Sequence, residues 1–227
     1  MSDVDSSKLA RGGLLRKLLA CFSLEWVAHL AELAQALHEL TVHGRPSGLY
    51  EILEYDTTLE LTDPHGKNAV FHKHQRVKFQ QDNVIAFQDF AWGEGSNIFA
   101  TYRCEPGVVV DRYQEGDRWN VLISLRASKN RGDIEDFYIE RKVENGFTKP
   151  EEWCQVEIRN PTRKLRIAIL FPKTRHCRRA QLVERSRQRT TILGTENFHD
   201  LPDGRQMLRW EAKDIKRLEI YTINWWW

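Results

Sequence analysis

No run of apolar residues in this chain approaches the roughly 20 that a membrane-spanning helix needs. The best N-terminal stretch, Leu14–Phe22, is broken by Arg16 and Lys17 where a secretory signal keeps an uninterrupted apolar core. A cytoplasmic location is therefore the expectation. Cysteine is scarce: Cys21, Cys104, Cys154 and Cys177 lie far apart with no CxxC pair, which argues against a disulfide scaffold and for four unbridged thiols. The common enzyme signatures are missing too. There is no GxGxxG, GxxxxGK[ST], HExxH or GxSxG. Strands and helices do not alternate, so a parallel nucleotide-binding sheet is not expected. No internal repeat or low-complexity segment is visible, and nothing in the residues asks for a cofactor or a metal.

What is present suffices for a large core. Of 227 residues 41% are hydrophobic, with eight Trp and ten Phe. Two periodicities divide the chain near Pro46. Before it, Ser6 or Ser7 caps a helix carrying Leu9, Leu14, Leu15, Leu18, Leu19 and Phe22. Ser23 caps a second, on which Trp26, Leu30, Leu33, Leu37 and Leu40 recur at spacings of 4, 3, 4 and 3. Gly44 and Pro46 close the segment. A membrane-surface reading of Leu14–Phe22, with Arg11, Arg16 and Lys17, fits less well, because the acidic second helix would also need covering.

After Pro46 the period becomes two. Leu53, Tyr55, Thr57, Leu59 and Leu61 share a strand face, Asp63-Pro64-His65-Gly66 turns, and Val70–Phe79 returns as its partner. Val84–Trp92 and Ile98–Cys104 read as a second hairpin. Alternation continues through Trp119–Leu125, Phe137–Val143, Cys154–Ile158 and, most cleanly, Leu165, Ile167, Ile169 and Phe171, with Lys164 and Arg166 on the opposite face. Further strands fit residues 180–185, 190–193, 206–211 and 218–227. At the end, Tyr221, Ile223, Trp225 and Trp227 face inward and Trp226 outward. The expected fold is mainly β: a helical hairpin over residues 1–46, then an antiparallel β-sandwich over 47–227, with room for two sub-sheets.

Charge is asymmetric. Residues 155–195 hold eleven Lys or Arg against Glu157 and Glu184, leaving +9 there and −7 across the rest of a chain whose net charge is +2. Arg163, Lys164, Arg166, Arg178, Arg179, Arg185 and Arg187 are the candidates for an anionic ligand, since the guanidinium fork suits phosphate. A solvated, aggregation-resistant strand face accounts for the same residues. His72 and His74 share a face near His65, but Arg76 and Lys78 beside them disfavour a metal. Cys177 beside His176, in a basic loop with Arg175, Arg178 and Arg179, has the setting of a reactive thiol. With Asp133 and Asp136, this pair makes the weak enzymatic alternative. Arg131-Gly132-Asp133 reads as a turn.

Several stretches carry a resemblance: Tyr50–Leu61 (YEILEYDTTLEL), Gln81–Gly93 (QDNVIAFQDFAWG), Pro106–Tyr113 (PGVVVDRY), Leu122–Gly132 (LISLRASKNRG), and the ending LPDGRQ with INWWW. From Leu49 onward the chain resembles an uncharacterised bacterial β-rich family. Its members carry short helical modules similar to the effector-associated or death-like adaptor domains of bacterial conflict systems, and Leu14–Leu40 is similar in style to these. The resemblance implies an interaction or adaptor protein, in bacterial defence or signalling, that associates with a protein partner or its own copy through the N-terminal helices. It brings no catalytic residues. The runner-up is a binding module for a phosphorylated or nucleic-acid ligand. If the leucine stripe drives association, Leu33→Asp with Leu37→Asp converts an oligomer to a monomer in light scattering, with the β-sheet circular dichroism retained. A monomeric wild type at high concentration contradicts it.

Overall fold

Alternating apolar positions commit the chain to strands wherever one face can be buried. The computed structural model describes residues 48–92, 97–213 and 215–227, and Gly48–Trp227 groups as a unit by itself. The expected helices, with Trp26, Leu30, Leu33, Leu37 and Leu40, lie outside the described residues. The strands are β1 (Tyr50–Leu61), β2 (Asn68–Phe79), β3 (Val84–Ala91), β4 (Asn97–Glu105), β5 (Val108–Glu115), β6 (Arg118–Lys129), β7 (Ile134–Glu144), β8 (Glu151–Glu157), β9 (Leu165–Phe171), β10 (Arg179–Glu184), β11 (Arg189–Leu193), β12 (Phe198–Asp200), β13 (Gln206–Ala212) and β14 (Ile220–Trp226). Among the described residues the only helical piece is a 3-10 turn, Thr195–Asn197, and no helix is long and apolar enough to cross a membrane. The chain is mainly β, as its periodicity implies.

Three sheets form: β12-β13-β9-β1-β2-β7-β4, β11-β10-β14-β8, and β3-β6-β5. Both smaller sheets cover the same face of the large one. Phe87 of β3 stacks on Phe137 of β7 at 4.1 Å, while Trp225 of β14 meets Phe171 of β9 at 6.1 Å. On β9, Leu165, Ile167, Ile169 and Phe171 are buried and Arg166 faces the other way, each apolar side chain contributing about 1.5–3 kcal/mol. Tyr221, Ile223, Trp225 and Trp227 are buried likewise, and Trp226 lies under Arg179.

Three expectations need correction. β3 does not pair with β4: β3 joins β6 and β4 joins β7, in different sheets. Alternation marks both segments as strands but does not name their neighbours. The sheets are not wholly antiparallel, because β1 and β9 run parallel from Tyr55↔Leu165 to Glu60↔Leu170. Leu53 leaves the face shared by Tyr55, Thr57, Leu59 and Leu61, because a register shift between Ile52 and Glu54 buries Ile52 in its stead. The turns form as read. At Gly66 (φ +67°) a Cβ would stand 1.7 Å from the Phe147 carbonyl oxygen, so no other residue fits.

The covered face is not uniformly apolar. Cross-strand rows run Leu208–Ile169–Leu59–Phe71–Arg141 and Trp210–Ile167–Thr57–Lys73–Ile139, so the half formed by β2 and β7 brings Lys73 and Arg141 inward. These cations meet an edge: β3 ends its sheet and has no strand partner on one side. Its carbonyls at alternate residues are taken by side chains from the large sheet. Tyr50 Oη donates to Gln88 at 3.4 Å, Lys73 Nζ to Phe90 at 3.0 Å and Arg141 Nη2 to Trp92 at 3.4 Å. Asp89, 3% exposed, completes the network: it accepts a short bond from Lys73 and one of 2.8 Å from Tyr102 Oη. Burial lowers the Lys73 ammonium, but the charge and hydrogen bond of Asp89 together with Tyr55 outweigh it, and the net direction is up. Burial, with Asp89 beside it, raises the Tyr102 phenol strongly.

Removing one partner of a buried ion pair leaves the other uncompensated, at a cost of about 3–5 kcal/mol. Asp89→Ala should lower unfolding free energy by about that much in urea titration. A double variant, Lys73→Met with Asp89→Leu, should recover only part of it, because the Phe90 carbonyl stays unpartnered.

Candidate functional site

The two smaller sheets lie side by side, and β3 and β8 are the facing edges of a seam. Here Phe90 sits between two guanidinium groups, Arg118 at 5.4 Å and Arg159 at 5.1 Å from its ring centre. Both approach Glu157 of β8, at 3.5 and 3.1 Å, so this carboxylate is neutralised where the sheets meet. Beneath lies a small cavity of about 40 Å³ lined by Tyr55, Lys73, Arg141 and Glu152 among others. It has room for a few waters at polar positions that suit them.

Above the seam opens a cleft of about 540 Å³ lined by Trp92, Gln114, Asp117, Trp119, Trp153, Gln155, Glu157, Arg185 and Ile220. One wall is the β5–β6 hairpin, where Gln114 and Trp119 are directly opposite and Asp117 sits in the turn. The other is β8, whose outward residues Trp153, Gln155 and Glu157 follow at period two, while Cys154 and Val156 point into the core. Trp92 stands where β3 ends. Trp92, Trp153 and Gln155 line both the cleft and the cavity below, so they form the partition between them.

These side chains stand on fixed supports. Trp119 meets Phe99 edge-on at 5.6 Å, and the Trp92 carbonyl is held by Arg141. Arg185 N donates to the Ile220 carbonyl at 3.1 Å. The next residue, Ser186, donates to buried Glu219 from both N and Oγ, at 2.6 and 2.5 Å. Burial pushes the Glu219 carboxyl up, but the donors from Ser186 and Ile220 outweigh it and hold it below its ordinary value.

The basic residues anticipated as a ligand site do not converge. Arg163 is engaged by Glu51 at 2.7 and 3.1 Å, Arg166 by Asp56 at 2.7 Å, and Arg187 by Glu184 at 3.1 Å. Arg179 covers the Trp226 ring at 4.3 Å, and half-buried Lys164 precedes β9, its carbonyl accepting from Tyr55 N. Arg178 lies in a separate open hollow of about 350 Å³ with Lys173 and Arg175, and Arg185 alone reaches the tryptophan cleft. Glu51 and Asp56, far away in sequence, and Glu184 within the segment thus hold three of its arginines apart.

Other candidates are accounted for structurally. His74 contacts Asp136 at 2.8 Å and stacks on Tyr138, His72 lies between Glu60 and Glu140, and no metal-holding cluster occurs among the described residues. His176 meets the Gly204 carbonyl, Cys177 the Arg179 carbonyl, and Asp133 accepts from Asn130 N in the Arg131-Gly132 turn. What sequence reasoning missed was Trp92, Trp153, Gln114 and Gln155. The available signal was Trp153, a large aromatic on the polar phase of a strand.

No family model matches the chain, and no curated protein matches it. Among solved structures it is similar to part of an M1 zinc metallopeptidase of Deinococcus radiodurans, with TM-score 0.47, 10% identity, 78% of this chain and 42% of that one. It is similar also to part of aminopeptidase A of Legionella pneumophila, with TM-score 0.46, 11% identity, 80% of this chain and 22% of that one. The chain spans less than half of either, and at these scores the likeness assigns no activity.

Burial pushes the Cys104 and Cys154 thiols up to about 12 and Cys177 up to about 11, from an ordinary 9.0. All three are free. Iodoacetamide on the native chain near neutral pH should leave these three unmodified in peptide mapping, and urea should expose them. The unfolded chain releases these protons first, so their contribution to stability is full below the ordinary thiol value and declines as pH rises toward about 12. Denaturant titrations on either side of the ordinary value check the sign.

Proposed function

We propose that the chain is an interaction protein, an adaptor in the sense that its resemblance implies. Residues 1–46 associate with a partner or a second copy, and the mainly β domain of residues 47–227 holds a ligand. A cytoplasmic place in bacterial defence or signalling fits the same reading. The observation that carries the binding role is the cleft: about 540 Å³, rimmed by three tryptophans and a few polar groups, and built across two sheets on a rigid base. That volume falls within the range of about 300–1,000 Å³ usual for ligand sites, and tryptophan dominates binding energetics where it is found.

A second reading, an anionic ligand, is favoured by one observation. Lys173 and Arg178 line the 350 Å³ hollow with no carboxylate at ion-pair distance among the described residues.

Thermal-shift measurements on the full chain distinguish these. Neutral oligosaccharides, nucleotides and short peptides are each offered to wild type, Trp153→Ala and Arg178→Ala. The cleft reading expects one class to raise the wild-type Tm but not that of Trp153→Ala. Loss in Arg178→Ala alone moves the site to the hollow. No shift with any class overturns the binding role.

A further inference from the structure

The geometry points to a neutral saccharide as the occupant of the tryptophan cleft, an inference that rests on the binding reading above and narrows its ligand class. Charge is the first discriminator. Of the ionisable groups lining the cleft, Glu157 is neutralised by Arg118 and Arg159. Asp117 and Arg185, one of each sign, are left. No net charge remains to draw an ionic ligand. A nucleotide phosphate would meet Asp117, and a lysine or arginine side chain would meet Arg185. Unlike charges at a site give specificity, and like charges repel the wrong partner.

The second discriminator is the alternation of surface types. Trp153 and Gln155 are successive outward residues of β8, and Trp119 and Gln114 face each other across β5 and β6. Each wall thus offers one large amphipathic ring beside one amide. An indole supplies a broad apolar surface at low conformational cost, and an amide both donates and accepts hydrogen bonds. A sugar ring has that dual character: an apolar face of C–H groups, and a rim of hydroxyls that each donate and accept. Asp117 and Arg185 add an acceptor and a paired donor for neighbouring hydroxyls. The cleft is open at the surface and long enough to span two sheets, which suits a short oligosaccharide or the end of a longer glycan.

The test is isothermal titration of the full chain with gluco-, manno-, galacto- and N-acetylglucosamine oligosaccharides, at low and high salt. The expected result is binding by at least one series, insensitive to salt because the ligand is uncharged. It should weaken about tenfold or more in Trp153→Ala and in Gln155→Ala, while Arg163→Ala, remote from the cleft, binds as wild type. Should Trp153→Ala fold poorly, Gln155→Ala and the exposed Arg185→Ala decide. Absence of binding by every series at millimolar concentration overturns the inference, as does binding that all cleft variants retain. A nucleotide or peptide that stabilises wild type but not Trp153→Ala would sink the saccharide and leave the binding reading standing; no ligand of any class would sink both.

Discussion

A buried strand edge is the constraint around which the β domain is organised. A strand at the border of a sheet exposes backbone groups that water normally satisfies. β3 presses its border against the inner face of the large sheet, and there Tyr50, Lys73 and Arg141 supply the donors. The solution imports charge into the interior, which in turn requires Asp89. Arg141 reaches past β3 as well: it donates to the Ile98 carbonyl at 3.0 Å and packs 4.3 Å over Phe71. Burial lowers its guanidinium to about 10. One arginine thereby ties the end of β3 to the start of β4, strands that belong to different sheets.

This arrangement explains which parts of the fold were legible in the sequence. Leu165, Ile167, Ile169 and Phe171 announced a buried face because hydrophobic alternation is a local property, and the C-terminal tryptophans did so for the same reason. Lys73 and Arg141 broke the code. Alternation puts Lys73 on the face opposite His72 and His74, and only the partner edge of β3 reveals why a cation belongs on the inward face. Strand neighbours were equally hidden. The β3–β4 segment looked like a hairpin because its connection is short and rich in glycine, yet the two strands pair with β6 and β7.

The cleft was hidden by the same mechanism. Its residues come from the length of β8, from the β5–β6 hairpin, from the start of β14 and from the positions just past β3 and β10, and the two walls are not adjacent in sequence. The basic segment misled in the opposite direction. Contiguity suggested one cationic surface, but alternating side chains leave a strand on opposite faces, and Glu51, Asp56 and Glu184 meet three of the arginines. Trp153 was readable in principle. A tryptophan on the outward phase of β8, between buried Glu152 and Cys154, has no core to fill.

The parallel contact between β1 and β9 has a bearing on how the chain is made. Asp56 and Arg166, bonded across that pair, are 110 residues apart. β1 leaves the ribosome long before β9 exists, and until then it has only β2 as a neighbour in its sheet. Such distant pairing slows folding, because loop closure must precede the contacts that reward it. During synthesis one flank of β1 therefore waits uncovered until β9 follows it, and the face of β9 waits in turn for Trp225 of β14.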